Sequence, residues 1–210
     1  MPTLNFADTK GTCHLAYEAV EGQHYSFPDG TVWNVLKSTA TWYSGFKAIV
    51  IQPRDGAKNV TVLAFAGTDS VLDVIVDLSQ ATGGLPVQYQ QALGLTLEYQ
   101  KQYSNLYLTG HSLGGGLAAY SSVYTHIPAS TINPAPLVGA LSLRALGANN
   151  QITNYIGGGG EIVSSSPGRN PGRDVHVEAN GNFFTRHMVA NVEPGVALPQ
   201  RTGGGASGSW

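Results

Sequence analysis

One serine in this chain sits where its hydroxyl could serve as a covalent nucleophile. Ser112 lies within Thr109-Gly110-His111-Ser112-Leu113-Gly114-Gly115. An apolar run, Leu106-Tyr107-Leu108, enters this turn, and an Ala/Leu-rich segment of helical character leaves it. Strand, tight turn and helix in that order form a nucleophile elbow, which carries the serine at the tip of a sharp turn. Glycine is required two positions before and two after the serine, because a Cβ at Gly110 or Gly114 would collide with the flanking strand or helix. In a chain with 27 glycines the bare pattern would arise by chance about once in four such chains, so its context and its partners must carry the argument.

A serine hydroxyl attacks poorly until an imidazole takes its proton and a carboxylate orients that imidazole. Behind an elbow serine the acid comes next in the chain and the histidine last. The histidines after Ser112 are His126, His176 and His187, and the carboxylates are Glu161, Asp174, Glu178 and Glu193. His126 has no acid before it. His176 falls in Arg173-Asp174-Val175-His176-Val177-Glu178, a charged stretch in which solvated polar residues are expected. His187 follows both Glu161 and Asp174 and sits among Phe183, Phe184, Met188 and Val189, which suits a docked loop; it is the expected base, a capping or exposed histidine being its structural alternative. Glu161 follows a strand and a four-glycine loop, so its side chain can emerge at the carboxyl edge of the sheet as the acid. Asp174 is the alternative acid, or else a surface turn residue paired with Arg173. His111, ahead of the serine, reads as a packing residue. The Leu113 amide is one expected oxyanion donor, and Thr68, with amide and hydroxyl at another strand end, is the second.

Elements able to hold these groups can be read along the chain. Residues 5–20 read as a surface helix, and 21–44 as less regular around a Pro28-Asp29-Gly30 turn, with Trp33 and Trp42 more naturally core residues than cleft walls. Residues 47–53 and 60–66 are β-branched or apolar runs flanking Arg54-Asp55-Gly56, a hairpin that ends at Gly67-Thr68-Asp69-Ser70. Residues 71–78 have carboxylates only at Asp73 and Asp77, so a helix there has a broad apolar surface, packed on both sides or moving over an apolar cleft. Gly83-Gly84 supplies a return, and 87–103 reads as a helix. Beyond the elbow come a strand at 130–133 ended by prolines, a short helix at 141–146, a strand at 151–156, a turn-rich stretch at 167–182 and a strand-to-helix transition at 183–192. Strands alternating with helices after residue 60 predict an α/β fold with a mostly parallel central sheet, helices on both faces and an N-terminal hairpin. One domain over 1–201 and a flexible Gly/Ser-rich tail at 202–210 are expected.

Composition narrows the partners. With 11 Lys and Arg, 13 Asp and Glu and a net charge of −2 in 210 residues, no basic stripe exists to draw nucleic acid or an anionic membrane by long-range field. Contact with lipid would have to be apolar. The single Cys13 excludes an internal disulfide and a cysteine metal site, and reads as a small buried hydrophobe. The N-terminal residues lack the basic and apolar regions of a signal peptide, and no run approaches the ~18 apolar residues of a membrane span. A soluble chain is expected, with export by a specialised route left open and the oligomeric state not indicated.

Taken together, these residues resemble the class 3 lipase family of α/β-hydrolases from about Tyr43 to Val192. Residues 62–70, Val-Leu-Ala-Phe-Ala-Gly-Thr-Asp-Ser, followed by Asp73 and Asp77-Leu78, are similar to its Phe-Arg-Gly-Thr-x-Ser block with trailing aspartates. Residues 109–115 match its elbow, 131–139 its strand and Pro-containing loop, and Gly160-Glu161-Ile162-Val163 its Gly-Asp-x-Val acid site. His187-Met188 stands where the histidine of bacterial members falls. The resemblance implies hydrolysis of lipid acyl esters at a membrane or micelle surface, with Ser112, Glu161 and His187 as triad, Thr68 and Leu113 as oxyanion donors, 71–86 as a lid, and no cofactor or metal. Two positions depart from the pattern. Ala66 replaces an arginine, and Glu161 stands where aspartate is usual, its extra methylene demanding a shifted backbone. Two other readings share these residues: a non-catalytic binding module lacking a working acid, and a thioesterase or amidase on the same fold.

Overall fold

The computed structural model describes residues 3–68, 87–144, 151–158, 161, 163–164, 166–182 and 184–202. The expected lid at 71–86 lies outside the described residues, as do Asp69 and Ser70. In chain order the elements are α1 (Phe6–Glu18), β1 (His24–Ser26), β2 (Val32–Thr41), β3 (Phe46–Pro53), β4 (Thr61–Phe65), α2 (Val87–Gln102), β5 (Leu106–His111), α3 (Leu113–Thr125), β6 (Ala129–Ile132), α4 (Gly139–Arg144), β7 (Ile152–Gly157), β8 (Arg173–Val177) and β9 (Gln200–Thr202).

The strands form one sheet in the order β8-β7-β6-β5-β4-β3-β2-β1-β9. From β4 to β8 neighbours run parallel, and from β4 through β3, β2 and β1 to β9 they run antiparallel. The central strands β4, β5 and β6 are buried at every position because both faces are covered. Ala48 and Val50 of β3 and Leu63 and Phe65 of β4 point into a core closed by α2 and α3. Ile49, Ile51, Val62 and Ala64 point to the opposite face, into a core shared with Leu15 and Ala16 of α1. The carboxyl ends of the parallel strands therefore open on one edge, where the chain leaves β4 at 66–68, β5 at Ser112, β6 at Asn133 and β7 at Gly158. Such edges are where ligand chemistry collects in α/β sheets.

Several expectations are corrected. The helix at 5–20 is not a surface element: Asn5 caps it by accepting the Asp8 amide at 2.8 Å, and residues 8–13 are buried. Its polar face is inside because each polar group is satisfied there. Thr9 bonds Ser130 at 2.7 Å and Thr12 bonds Thr109 at 3.1 Å, while the Lys10 ammonium donates to the Glu193 and Val196 carbonyls at 3.0 and 2.7 Å. Cys13 is fully buried, as expected, and burial pushes its thiol up. Residues 21–44 hold two strands. β2 is hard to see in the sequence because its outer half is polar and exposed and its pairing slips between Val35 and Lys37. Trp33 is 0% exposed and stacks on Phe27, whereas Trp42 is 94% exposed at the β2–β3 turn and is not a core residue. The turn-rich stretch contains β8, whose charged sequence suits an edge strand that must not recruit another. Residues 184–192 form two short 3-10 turns, at Thr185–His187 and Val189–Asn191, rather than a strand and a helix. Thr202, placed in the expected tail, is paired in β9.

Candidate active site

Ser112 stands between β5 and α3 at φ 58° and ψ −128°, a conformation that costs a non-glycine residue about 1–3 kcal/mol and persists only where the surroundings over-determine it. They do so here. Its amide donates to the Ile132 carbonyl at 3.1 Å, and its carbonyl accepts from Gly116 and Ala135 at 3.1 and 2.8 Å. The glycines are as tight as the turn demands: a Cβ at Gly110 would overlap the Gly114 carbonyl, and one at Gly114 would overlap the Phe65 carbonyl. Ser112 is 1% exposed.

His187 closes a 3-10 turn and is buried beside the elbow, its ring 4.6 Å from that of His111. Its Nδ1–H donates to Glu161 Oε1 at 2.5 Å, both side chains being buried. Glu161 follows β7 and the glycine loop. Its carboxylate also accepts the Val163 amide on Oε1 and the Ser164 amide on Oε2, each at 2.8 Å, and Oε2 takes the Ser164 hydroxyl as well. Burial alone would raise this carboxyl; the bond and charge of His187 and the donors at 163 and 164 outweigh it and bring the group below the ordinary carboxylate range. With Nδ1 committed as donor to Glu161, the neutral form of the ring carries its lone pair on Nε2. Among the described residues, Ser112 Oγ and His187 Nε2 are both buried without a hydrogen-bond partner. One is a proton donor and the other an acceptor, and orphaned buried polar atoms of this kind mark sites of chemistry.

Asp174, the alternative acid, is brought elsewhere. It is exposed on β8 and accepts from Asn154 Nδ2 at 2.9 Å, whereas Glu161 bonds the imidazole. Thr68 follows Gly67 at the end of β4, and a Cβ on Gly67 would come within 3.0 Å of Ser112 Cβ, so this strand end packs directly on the elbow. Leu113 opens α3, where the first amides of a helix have no intrahelical acceptor. A cavity of about 310 Å³ opens here between α1 and the loop that carries His187, walled by His14, Tyr17, Thr68, His111, His187 and residues 188–190.

Two residues at this edge were not singled out from sequence. Asn133, at φ 42°, receives the Gly157 amide on Oδ1 at 2.7 Å and donates through Nδ2 to the carbonyls of Arg186 and His187 at 3.1 and 3.0 Å. It joins the ends of β6 and β7 to the loop that carries His187. Tyr17 of α1 bonds both His111 and the Gly67 amide. A strand-end asparagine before Pro134 was a usable signal; Tyr17 had none. His111 does more than pack, since its Nε2 donates to the His187 carbonyl at 2.6 Å. Burial, then the neighbouring His187, hold its pKa well below the ordinary histidine value, so the ring is neutral.

Sheet order, elbow and acid site define an α/β-hydrolase fold. Residues 29–158 match the model of the Tle-like phospholipase domain, and the chain belongs to that phospholipase-like family. Over 75 residues it is 44% identical to the extracellular phospholipase A1 of Serratia liquefaciens, a match covering 35% of this chain and 24% of that protein. The chain thus aligns with about a quarter of that curated relative. The triacylglycerol lipase of Penicillium expansum superposes with a TM-score of 0.56 at 12% identity, covering 93% of this chain and 81% of that one. The lipase of Rhizopus microsporus var. chinensis does so at 0.58 and 15%, covering 88% and 72%. At such identities these two likenesses speak for the fold alone. Among the described residues no helix is long and apolar enough to cross a membrane.

Proposed function

We propose that this chain is a serine carboxylester hydrolase acting on lipid acyl esters, of the lipase and phospholipase A type. The observation that carries the reading is the buried Glu161–His187 pair, its Nε2 lone pair unengaged, beside an elbow serine whose hydroxyl is also unengaged. Membership of a phospholipase-like family supports lipid as the substrate class.

In this reading His187 Nε2 takes the Ser112 proton as Oγ adds to the ester carbonyl. The oxyanion so formed is met by the Leu113 and Thr68 amides and the Thr68 hydroxyl. Glu161 holds the imidazolium in register and balances its charge. Collapse expels the alcohol, protonated from Nε2, and leaves an acyl-Ser112 ester. Water then adds with the same proton transfers, releasing the fatty acid and restoring the hydroxyl. Each oxyanion donor is worth about 10²–10³ in rate. With little net charge on the chain, approach to a membrane or micelle surface rests on apolar contact rather than on attraction to anionic headgroups. Action outside the producing cell is part of the proposal, by analogy with the extracellular Serratia relative.

The test is fatty-acid release from phosphatidylethanolamine vesicles and from a triacylglycerol emulsion, comparing the wild type with Ser112→Ala. Release by the wild type and its loss in the variant are expected; equal rates would overturn the assignment.

A further inference from the structure

One chain of hydrogen bonds at the site is used by no step above. The Gly67 amide donates to the Tyr17 oxygen at 3.0 Å, the Tyr17 hydroxyl lies 2.7 Å from His111 Nδ1, and His111 Nε2 lies 2.6 Å from the His187 carbonyl oxygen. The directions follow from chemistry. A carbonyl only accepts, so His111 Nε2 carries the proton. A neutral imidazole then has a bare Nδ1, to which the Tyr17 O–H donates, leaving the Tyr17 oxygen lone pairs for Gly67 N–H.

We propose that Tyr17 is a positioning residue for the reaction: through His111 its hydroxyl ties the Gly67-Thr68 strand end to the main chain of His187, setting oxyanion donor and base in one register about Ser112. This rests on the roles given to Ser112 and His187 above. The three links join four separate pieces of chain: the end of β4, α1, the end of β5 and the loop that carries His187. At one end, Gly67 N–H is held by the Tyr17 oxygen, which fixes the peptide that leads into Thr68. The space there is set too, since a Cβ at Gly67 would stand 2.6 Å from the Tyr17 oxygen and 2.8 Å from the His111 carbonyl. At the other end, the His187 carbonyl is held from two sides, by His111 and by Asn133 Nδ2 at 3.0 Å. A shift of about 1 Å in such a support can cost on the order of 10² in rate without loss of substrate binding.

The experiment removes the hydroxyl and keeps the ring. Tyr17→Phe is expected to lower kcat on a soluble nitrophenyl butyrate about 10- to 100-fold with KM within about twofold. A fluorophosphonate should label Ser112 more slowly by the same factor. His111→Gln, whose amide offers both a donor to the His187 carbonyl and an acceptor to Tyr17, should keep more activity than His111→Ala. In the Tyr17→Phe/His111→Ala pair the losses should not multiply, because both break one chain. Wild-type kcat in Tyr17→Phe, at whatever melting temperature, overturns the proposal, as do losses that multiply. A folded wild type that neither hydrolyses the ester nor takes the label overturns the underlying reading and the proposal with it; an active wild type with an indifferent Tyr17→Phe overturns the proposal alone.

Discussion

Replacing Glu161 by aspartate, the residue that usual class 3 lipase patterns have there, should impair this protein. The substitution withdraws the carboxylate by one C–C bond, about 1.5 Å. With the backbone held, the 2.5 Å contact to His187 Nδ1 would open to about 4 Å, beyond hydrogen-bond reach. The competing donors decide where the shorter side chain goes. The amides of Val163 and Ser164 and the Ser164 hydroxyl lie two and three residues along the chain, and aspartate readily bonds backbone two residues on. The shortened carboxylate would keep the local turn and abandon the imidazole. Its charge stays near, so the loss should be partial: about 10- to 100-fold in kcat, or about 1.4–2.7 kcal/mol of barrier. Glu161→Gln should cost more, approaching about 10⁴, because its amide either meets the Ser164 donors with another donor or turns toward Nδ1 and imposes the wrong tautomer. The assay is kcat on a soluble nitrophenyl ester, with intact sites counted by fluorophosphonate titration. Wild-type kcat in a Glu161→Asp protein would show that the imidazole does not depend on the reach of the longer carboxylate.

Other expectations follow from the same geometry. Asp174→Ala should keep kcat within about twofold, since this exposed carboxylate bonds Asn154 rather than His187; a loss beyond tenfold in a steady-state assay would return it to candidacy as the acid. Gly114→Ala drives a Cβ into the Phe65 carbonyl, a main-chain group that cannot yield, and should lower the unfolding free energy in urea by about 3 kcal/mol, the upper end for overpacking. Because the folded pKa of His111 is depressed, the unfolded chain binds a proton that the folded chain refuses. Stability should therefore fall on acidification below about pH 6.5, by up to about 1.4 kcal/mol per pH unit from this group. His111→Gln should flatten that part of a pH series of melts. Glu161, whose folded pKa is also depressed, contributes stability that is present above about pH 4.3 and is lost at lower pH.

The elbow was legible in the sequence because its turn tolerates only glycine at two positions, and chain order reduced the base and acid to His187 and the pair Glu161 and Asp174. Which of those carboxylates meets the His187 imidazole needed three dimensions: Glu161 bonds it, and Asp174 bonds Asn154. Tyr17 was invisible because its partners lie 50 and 94 residues away and a lone tyrosine in a helix carries no pattern. The burial of α1 goes against its polarity for the same reason: hydroxyls of Thr9 and Thr12 count as surface residues until Ser130 and Thr109 are seen beneath them. β8 carries the polar sequence of an edge strand, which resembles a turn. Trp42 departs from expectation because an indole is usually worth burying, and here the β2–β3 turn holds it out in solvent.

The most direct test of the central claim is intact-mass and peptide analysis after a fluorophosphonate probe, read beside fatty-acid release from phospholipid vesicles. One adduct per chain is expected, on Ser112, with both adduct and release abolished in Ser112→Ala. An adduct on another residue, or a Ser112→Ala protein that releases fatty acid at the wild-type rate, would contradict it.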